Sequence, residues 1–222
     1  MVSAILFDCD GVLVDSEILA VEVETAMLAD AGLRYDEAEF RSRFMGMSDA
    51  AFFAALEEDS HARHGRSLPA NFREDCHARL YREVRTRLTE VAGALETVAT
   101  LKHAKAVASS SRTEELRIKL GMTGLWGHFA PHVYSADHVR HAKPAPDLFI
   151  YAAAQLAVEP AACLVLEDSV NGVKGARAAG MRVWGFTGGG HMDQAAAARL
   201  AAAGAERIVA NWPEASALFA AL

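Results

Sequence analysis

The amino-acid sequence predicts an α/β fold, in which a parallel sheet is wound with helices on both faces and an all-helical segment is inserted after the first strand. Three observations support this fold. A short apolar strand, "SAILFD", opens the chain at 3–8, and from Ser16 to about Leu88 only helical patterns follow. From about Val91 onward, strand-like runs alternate with helices, which is the pattern of a doubly wound sheet.

The inserted segment contains three amphipathic helical patterns. The first is "SEILAVEVETAMLADAG" at 16–32, and it ends at Gly32 because glycine commonly terminates helices. The other two are "SDAAFFAALEED" at 48–59 and "NFREDCHARLYREVRTRL" at 71–88. These patterns predict a helical domain without strands.

The C-terminal part contains five further strands and five helices. Strands are predicted at 105–109, 132–135, 163–167, 182–186 and 207–210, and helices near 112–120, 146–157, 170–179, 192–203 and 214–221. Because the first strand has no partner nearby in sequence, it must join this later sheet. We therefore predict a Rossmann-like core of residues 1–15 and 91–222 and a helical cap at 16–90. Open α/β sheets bind ligands beyond the carboxyl ends of their strands, where the insertion leaves the sheet, so we expect the cap to cover the site.

Composition and charge narrow the class of partner. The formal charge of −7 argues against a nucleic-acid partner, since such proteins usually present a basic face. No apolar stretch approaches the roughly 20 residues that span a bilayer, and the N-terminus lacks the features of a signal peptide, so we expect no membrane partner. Cys9, Cys76 and Cys163 are far apart and lack metal-ligand spacing, which favours a reducing cytoplasm. We expect a cytoplasmic monomer or weak homodimer.

Two aspartates, Asp8 and Asp10, follow the first strand and project from one face of the extended chain. Two carboxylates about 4 Å apart repel by roughly 4 kcal/mol at an effective dielectric constant near 20, so such a pair indicates a bridging cation or a shared proton. A solvated turn is the structural alternative. A calcium-binding loop does not fit, because Val12 and Leu13 stand where it needs a ligand and a glycine. Cys9 points the opposite way, which favours a buried small side chain over a reactive thiol.

Hydroxyl groups end the second strand, in "VASSSRTEEL". Ser111 and Glu114 fit a capping box for the following helix. Ser109 and Ser110 are left unassigned by that box, and hydroxyls beside a helix N-terminus suit an anion such as phosphate.

A lysine and a second pair of acids complete the pattern. Lys143 directly precedes Pro144 before a helix, where it is either an exposed side chain or a cation that neutralises carboxylate and phosphate charge. Glu167 and Asp168 end an apolar strand, and Ser169 can cap the helix that follows. Charge and hydroxyl groups therefore lie at four strand ends on one edge of the predicted sheet.

With these four stretches in place, the sequence resembles the haloacid dehalogenase superfamily of phosphohydrolases. The matching motifs, in order, are "DCDGVLVDSE", the serine of "VASSS", the lysine of "KPAPD" and "LEDS". The resemblance spans essentially the whole chain, and the helical insertion is similar to that of the branch containing β-phosphoglucomutase and many sugar-phosphate phosphatases.

The resemblance implies a role for each matched residue. It makes Asp8 the nucleophile that takes the phosphoryl group and Asp10 the general acid and base. Ser109, Ser110 and Lys143 would bind phosphate. An aspartate is ionised at neutral pH and needs no activating base, whereas Asp10 must be protonated for departure of the alcohol and deprotonated to activate water.

The resemblance also implies Mg²⁺ as the cofactor. Asp8, Asp168 and the backbone carbonyl of Asp10 would hold the ion, helped by Glu167. Mg²⁺ and Lys143 would then screen the repulsion between the nucleophile and the phosphate dianion.

Departures from relatives favour hydrolysis. Dehalogenases and phosphonate-cleaving members lack the second aspartate, which is present here as Asp10. β-Phosphoglucomutase has a histidine on its first cap helix where this chain has Ala20, and an arginine after its "GVS"-like loop where this chain has "GMSD" with Asp49. In the cap, Arg43 is a candidate substrate contact, with a solvated charged face as the alternative.

We expect a Mg²⁺-dependent phosphatase acting on a small phosphorylated metabolite, a sugar phosphate or sugar-acid phosphate. The alternative enzyme is a β-phosphoglucomutase-like phosphomutase. A phosphoaspartate signalling receiver is the remote alternative, but receivers are about half this length and lack the helical insertion.

The glycine-rich segment "GFTGGGHMD", which contains His191, is expected to form a mobile loop at the rim of the site. Asp15 and Glu17 are interpreted as the start of the first cap helix.

Overall fold

The computed structural model describes residues 1–44, 47 and 49–222, and it confirms the α/β class. The six strands of the sheet are parallel and lie in the order β3-β2-β1-β4-β5-β6. Their bounds are β1 Ala4–Phe7, β2 Ala104–Ser109, β3 Val133–Ser135, β4 Cys163–Glu167, β5 Arg182–Phe186 and β6 Arg207–Val209.

The N-terminal strand joins the later strands, as predicted, and lies at the centre of the sheet between β2 and β4. Phe7 of β1 is level with Val107 of β2 on one side and with Leu166 of β4 on the other. The backbone N–H of Asp8 donates to the carbonyl of Leu166 at 3.1 Å. The carboxyl ends of these three strands therefore meet at one edge, although β2 and β4 both lie more than 90 residues after β1 in sequence.

The helices of the α/β unit flank this sheet, and two short 3₁₀ turns, Ala136–His138 and Pro160–Ala162, connect elements. The bounds of these flanking helices are α5 Ala94–Thr100, α6 Thr113–Met122, α7 Trp126–Phe129, α8 Asp147–Gln155, α9 Val170–Ala178, α10 Ala196–Ala203 and α11 Trp212–Phe219. Phe7 packs against an aromatic group on one face, with ring centroids 5.7 Å from Phe129 and 5.8 Å from Trp212. The indole N–H of Trp212 donates to the carbonyl of Val12 at 2.9 Å, which fixes the segment that follows the two aspartates.

The chain divides into two compact units, residues 1–17 with 87–222, and residues 18–86. Four helices lie wholly or almost wholly in the second, helical unit. They are α1 Ser16–Asp30, α2 Glu37–Phe44, α3 Asp49–His64 and α4 Phe72–Arg87. The helical unit has its own hydrophobic cluster, formed by Leu28, Leu33, Phe40, Phe44, Phe52, Leu56 and Phe72. The role of this unit as a cap that selects the substrate stays a prediction.

Some elements differ from the sequence-based expectation. Helices α2 and α5 and the single turn α7 were not predicted, because each has eight residues or fewer and no clear apolar period in the sequence. The helix expected from 192 begins only at Ala196. The Asp193 carboxylate accepts the backbone N–H of Ala195 at 3.0 Å, and such a local bond competes with helix formation. Within the described ranges, no helix combines the length and the apolar character that a bilayer crossing needs.

Candidate active site

A buried lysine joins two of the predicted acids at the carboxyl edge of the sheet. Lys143 Nζ lies 2.9 Å from Asp8 Oδ1 and 2.8 Å from Glu167 Oε2. Its side chain is only 3% exposed, so it is not the solvated lysine of the structural alternative. Nζ also lies 5.1 Å from the ring centroid of Phe149, which adds an attractive cation–π contact.

Glu167 is fully buried, and hydrogen bonds engage both of its carboxylate oxygens. Oε2 accepts from Lys143, while Oε1 accepts from the hydroxyl and the backbone N–H of Ser169, at 2.7 and 3.2 Å. Ser169 also caps α9, as predicted, by accepting the N–H of Gly172. A Cβ atom at Gly172 would lie 1.9 Å from the Glu167 carboxyl carbon, so this position requires glycine.

Asp8, Glu167 and Asp168 form a group of carboxylates suited to a hard divalent cation. One oxygen from each lies within 4.8 Å of the others, and all three residues are buried or nearly so. Burial and the charge of Glu167 raise the pKa of Asp8 to about 7, although Lys143 opposes the shift. Burial and the charges of Asp8 and Glu17 raise the pKa of Asp168 well above its ordinary value. A bound cation would relieve this repulsion, and carboxylate oxygens are the ligands that Mg²⁺ prefers, so the residues present fit Mg²⁺.

Asp10 has a separate set of partners. Its Oδ1 accepts from Lys119 Nζ at 2.6 Å and from the Ser16 hydroxyl, and its Oδ2 accepts from the Ser111 hydroxyl at 2.6 Å. Burial alone would raise the pKa of Asp10, but the charge of Lys119 and these hydrogen bonds outweigh it and hold the pKa below its ordinary value. In the described part of the chain, the carboxylate of Asp10 is not in the metal-suited group, which leaves its backbone carbonyl for the expected role.

Ser111 therefore does not cap the following helix, and the predicted capping box with Glu114 is wrong. Helix α6 begins at Thr113, and the Glu115 carboxylate accepts the backbone N–H of Arg112 at 3.3 Å. The helix starts one residue later than that pattern required, and the Ser111 hydroxyl donates to Asp10 instead.

Lys119 was missed by the sequence analysis. Its spacing carried a usable signal, because it lies three residues after buried Leu116 and directly before buried Leu120, on the inward face of α6. A lysine on the apolar face of a helix is rarely buried without a charged partner.

The two predicted phosphate-binding serines differ in their surroundings. Ser109 is buried at the end of β2, and its oxygen accepts the backbone N–H of Ser111 at 3.1 Å, which leaves its own hydroxyl hydrogen for another acceptor. Ser110 is exposed at the next position. Their contact with phosphate stays a prediction.

Several groups near the start of α1 and in the glycine-rich segment 187–192 also face the site. Glu17 was interpreted only as a helix start, but burial and the charge of Asp10 raise its pKa. The carboxylate of Asp15 accepts the N–H of Gly190 at 3.1 Å. His191 Nε2 lies 3.3 Å from Asp168 Oδ2. The glycine-rich segment thus reaches the site, as expected; its mobility stays a prediction.

Cys9 is buried, which confirms its interpretation as a small core side chain, and burial raises the pKa of its thiol.

In the helical unit, Arg43 forms an ion pair with Asp59, which also accepts from the hydroxyl of Tyr35 at 2.7 Å. The Arg43 side chain remains 40% exposed, and its contact with a substrate stays a prediction.

Asp49, which stands where the mutase has an arginine, accepts from Arg73 and from His77. Gly46 and Ser48 of the "GMSD" stretch lie outside the described residues.

Gly11 turns the chain beside Asp168, and replacing it should damage the cation site. Its φ is +75°, and a Cβ atom there would lie 1.9 Å from Asp168 Oδ2. Gly180 has the same φ of +75° with no atom within 4 Å of the added carbon, so it isolates the cost of the backbone conformation. We expect Gly180→Ala to lower the free energy of unfolding by about 1–2 kcal/mol, and Gly11→Ala to lower it by about 1–3 kcal/mol more because the carboxylate must move.

Denaturant unfolding with EDTA and with Mg²⁺ measures this difference. Added Mg²⁺ should stabilise the wild type and Gly180→Ala alike and should stabilise Gly11→Ala much less. Equal stabilisation of all three proteins by Mg²⁺ would contradict the placement of the cation beside Asp168.

Comparison with known proteins identifies the family of this chain. A family model described as haloacid dehalogenase-like hydrolase matches residues 2–180. The 6-phosphogluconate phosphatase of Escherichia coli is 27% identical over 193 residues, which cover 86% of this chain and 85% of that protein. The fructose-1-phosphate phosphatase YqaB of Escherichia coli is 32% identical over 184 residues, which cover 81% and 93%.

A solved structure is similar to nearly the whole chain. The structure of a haloacid dehalogenase family hydrolase from Deinococcus radiodurans, with bound phosphate and sodium, has a TM-score of 0.86 and 34% identity, and the match covers 99% of this chain and 96% of that one. With the ordered motifs and the six-stranded sheet, these matches establish that the chain is a hydrolase that belongs to the haloacid dehalogenase-like family.

Proposed function

We propose that this hydrolase is a Mg²⁺-dependent phosphatase that removes phosphate from a small phosphorylated metabolite, a sugar phosphate or sugar-acid phosphate, through an aspartyl-phosphate intermediate. One observation carries the proposal: two neighbouring aspartates are held by two different lysines, Asp8 by Lys143 and Asp10 by Lys119, whose side chains are 3% and 13% exposed. Different surroundings suit the two carboxylates to different tasks.

Asp8 is proposed as the nucleophile. A carboxylate attacks phosphorus without a base to activate it, provided that its repulsion from the phosphate dianion is reduced. Lys143 donates to Oδ1 of Asp8, which places a positive charge beside the attacking group. The hydroxyl of Ser109, with Ser110 at the end of β2, is proposed to bind the phosphoryl oxygens together with Lys143.

Asp10 is proposed as the general acid and base. Lys119 lowers the pKa of Asp10 in the free enzyme, so Asp10 must take up a proton as the negatively charged phosphate binds beside it. In the first half-reaction, the bond from Asp8 to phosphorus forms while the bond to the alcohol oxygen breaks, and that oxygen takes the proton of Asp10. In the second half-reaction, water attacks phosphorus, its proton passes to Asp10, and Asp8 is released.

Mg²⁺, when bound, would act as a Lewis acid that neutralises charge on the transferring phosphoryl group. Asp8, Asp168 and the backbone carbonyl of Asp10 are proposed to hold it. Since both oxygens of Glu167 are engaged by Lys143 and Ser169, Glu167 is proposed to assist from outside the set of direct ligands.

The substrate class rests on the relatives. Two phosphatases that are similar over more than four-fifths of this chain are named for phosphogluconate and fructose 1-phosphate, which supports a phosphorylated sugar or sugar acid. We propose Arg43 as a substrate contact of the helical unit. The three cysteines are free thiols, which supports a reducing cytoplasmic setting. A monomer or weak homodimer is proposed.

Assay of the purified protein against a panel of phosphorylated metabolites with Mg²⁺ tests the function. We expect release of inorganic phosphate from at least one sugar phosphate or sugar-acid phosphate, and loss of that activity with EDTA. Conversion of a hexose 1-phosphate to its isomer without phosphate release would instead establish the phosphomutase. A stable phosphoprotein without turnover would establish the receiver.

A further inference from the structure

We propose that Lys119 is a positioning residue that, together with Ser111, fixes the carboxylate of Asp10 for its proton transfers. The inference rests on the proposed function, because it assigns a supporting residue to the proposed general acid and base. It adds a second lysine to the site, on a helix that none of the four matched motifs includes.

The geometry places Lys119 where it controls the orientation of Asp10. Nζ is 2.6 Å from Asp10 Oδ1 and 3.0 Å from the oxygen of Ser111, which in turn donates to Asp10 Oδ2 at 2.6 Å. Lys119 and Ser111 thus each donate to a different oxygen of the carboxylate, and they also contact each other. This closed triangle removes the freedom of the carboxylate to rotate about its own axis.

The burial of Lys119 argues against an ordinary surface ion pair. Its side chain is 13% exposed and that of Asp10 is 18% exposed. Ordering a long side chain costs conformational entropy, and desolvating two charges costs more. A buried ion pair is therefore a poor means of stabilising a fold. A function at Asp10 explains why a lysine stands on the inward face of α6, between Leu116 and Leu120.

Orientation matters because Asp10 is proposed to serve two steps. A carboxylate offers about four acceptor positions on its two oxygens, and Ser16, Ser111 and Lys119 use three of them. The remaining position is the one that can meet the alcohol oxygen in the first step and the attacking water in the second. Without Lys119 the same carboxylate would sample other orientations, and both proton transfers would slow.

The test uses p-nitrophenyl phosphate with Mg²⁺, because nitrophenolate is a good leaving group that needs little help from an acid. Hydrolysis of the aspartyl phosphate still needs Asp10 as the base. In Lys119→Met we expect kcat to fall about 10–100-fold, with KM changed less than threefold. We also expect the fraction of enzyme trapped as phosphoprotein after acid quenching to rise several-fold.

Two comparisons separate positioning from a structural role. Arg117→Met changes an exposed cation on the same helix and should leave kcat and the phosphoprotein fraction unchanged. In an Asp10→Asn background, Lys119→Met should have little further effect, because residues that act through one group are not additive. Lys119→Gln keeps a hydrogen-bond donor at the end of its side chain, so kcat should fall less than in Lys119→Met and the phosphoprotein fraction should rise less. This variant replaces Lys119→Met in the test if the methionine variant does not fold.

The outcomes are distinguishable. If the wild type turns over p-nitrophenyl phosphate but Lys119→Met keeps kcat within twofold, or loses it without accumulating phosphoprotein, the inference about Lys119 is overturned while the proposed function stands. If the wild type neither releases nitrophenolate nor forms a phosphoprotein, the proposed function itself fails, and the role of Lys119 fails with it.

Discussion

Asp8→Asn is expected to lower kcat by about 10⁴-fold or more, which corresponds to about 5.5 kcal/mol of lost transition-state stabilisation. The amide nitrogen and oxygen of asparagine cannot form the acyl phosphate, so no side reaction replaces the missing nucleophile. Phosphate release measures kcat, and acid quenching of a reaction with radiolabelled substrate measures the phosphoprotein, which should be absent.

The fold should survive this substitution, so the loss should be specific to the chemistry. Asparagine keeps the size of aspartate and an oxygen that can accept from Lys143, which also retains Glu167 as a partner at 2.8 Å. Asp75→Asn makes the same chemical change at an exposed position of α4 and should keep full activity. Retention of more than a tenth of the wild-type kcat by Asp8→Asn would refute the covalent mechanism.

Lys143→Met should cause the largest loss of stability, about 3–5 kcal/mol in the free energy of unfolding near pH 7.5 in EDTA. Methionine fills much of the same volume, but it leaves Asp8 and fully buried Glu167 without their shared cation. Repulsion between buried carboxylates then acts unopposed. Activity should be lost as well, because the proposed phosphate contact disappears.

The loss of stability should depend on pH in a defined direction. In the wild type, the raised pKa of Lys143 means that the lysine is charged in the folded and the unfolded state throughout pH 5–8, so its contribution is present across that range. In the variant, the folded-state pKa values of Asp8 and Glu167 should rise further above their unfolded values. The folded variant then binds protons that the unfolded chain does not, so its stability falls as pH rises from about 5 to 8.

Urea unfolding at pH 5 and at pH 8 measures this trend. The deficit of Lys143→Met relative to the wild type should be larger at pH 8. Lys174→Met, at an exposed position of α9, should stay within about 0.5 kcal/mol of the wild type at both values. A deficit that is equal at both pH values would show that lost packing explains the change, and not the carboxylate charge that Lys143 no longer neutralises.

The order of strands and helices in the α/β unit was predictable because it rests on local patterns. Each strand is a short apolar run, and each is followed by a helical pattern, so strands β1 to β6 were placed within a residue or two at their ends. Helix α2 and the true start of α10 were not predicted. A helix without a clear apolar period, and a side-chain hydrogen bond such as that of Asp193, cannot be recognised from periodicity.

The residue types of the candidate site were likewise readable from the sequence, since they fall at strand ends whose common edge follows from parallel pairing. Asp8, Ser109, Glu167 and Asp168 lie at or directly after the predicted strand ends, whereas Lys143 lies eight residues after the end of β3, in the segment that leads to α8. The sequence did not indicate how the charges are paired. Lys143 reaches Asp8 across 135 positions, and Lys119 reaches Asp10 across 109.

The sequence by itself therefore determined the fold class, the strand-end motifs and the resemblance to a hydrolase family, because these depend on neighbours along the chain and on general rules of sheet topology. Only the tertiary structure decided that Ser111 serves Asp10 instead of α6, that Lys119 is buried beside it, and that Glu17 and His191 face the acidic cluster. Those assignments depend on distances of a few ångströms between side chains from different elements, and no local pattern encodes such distances.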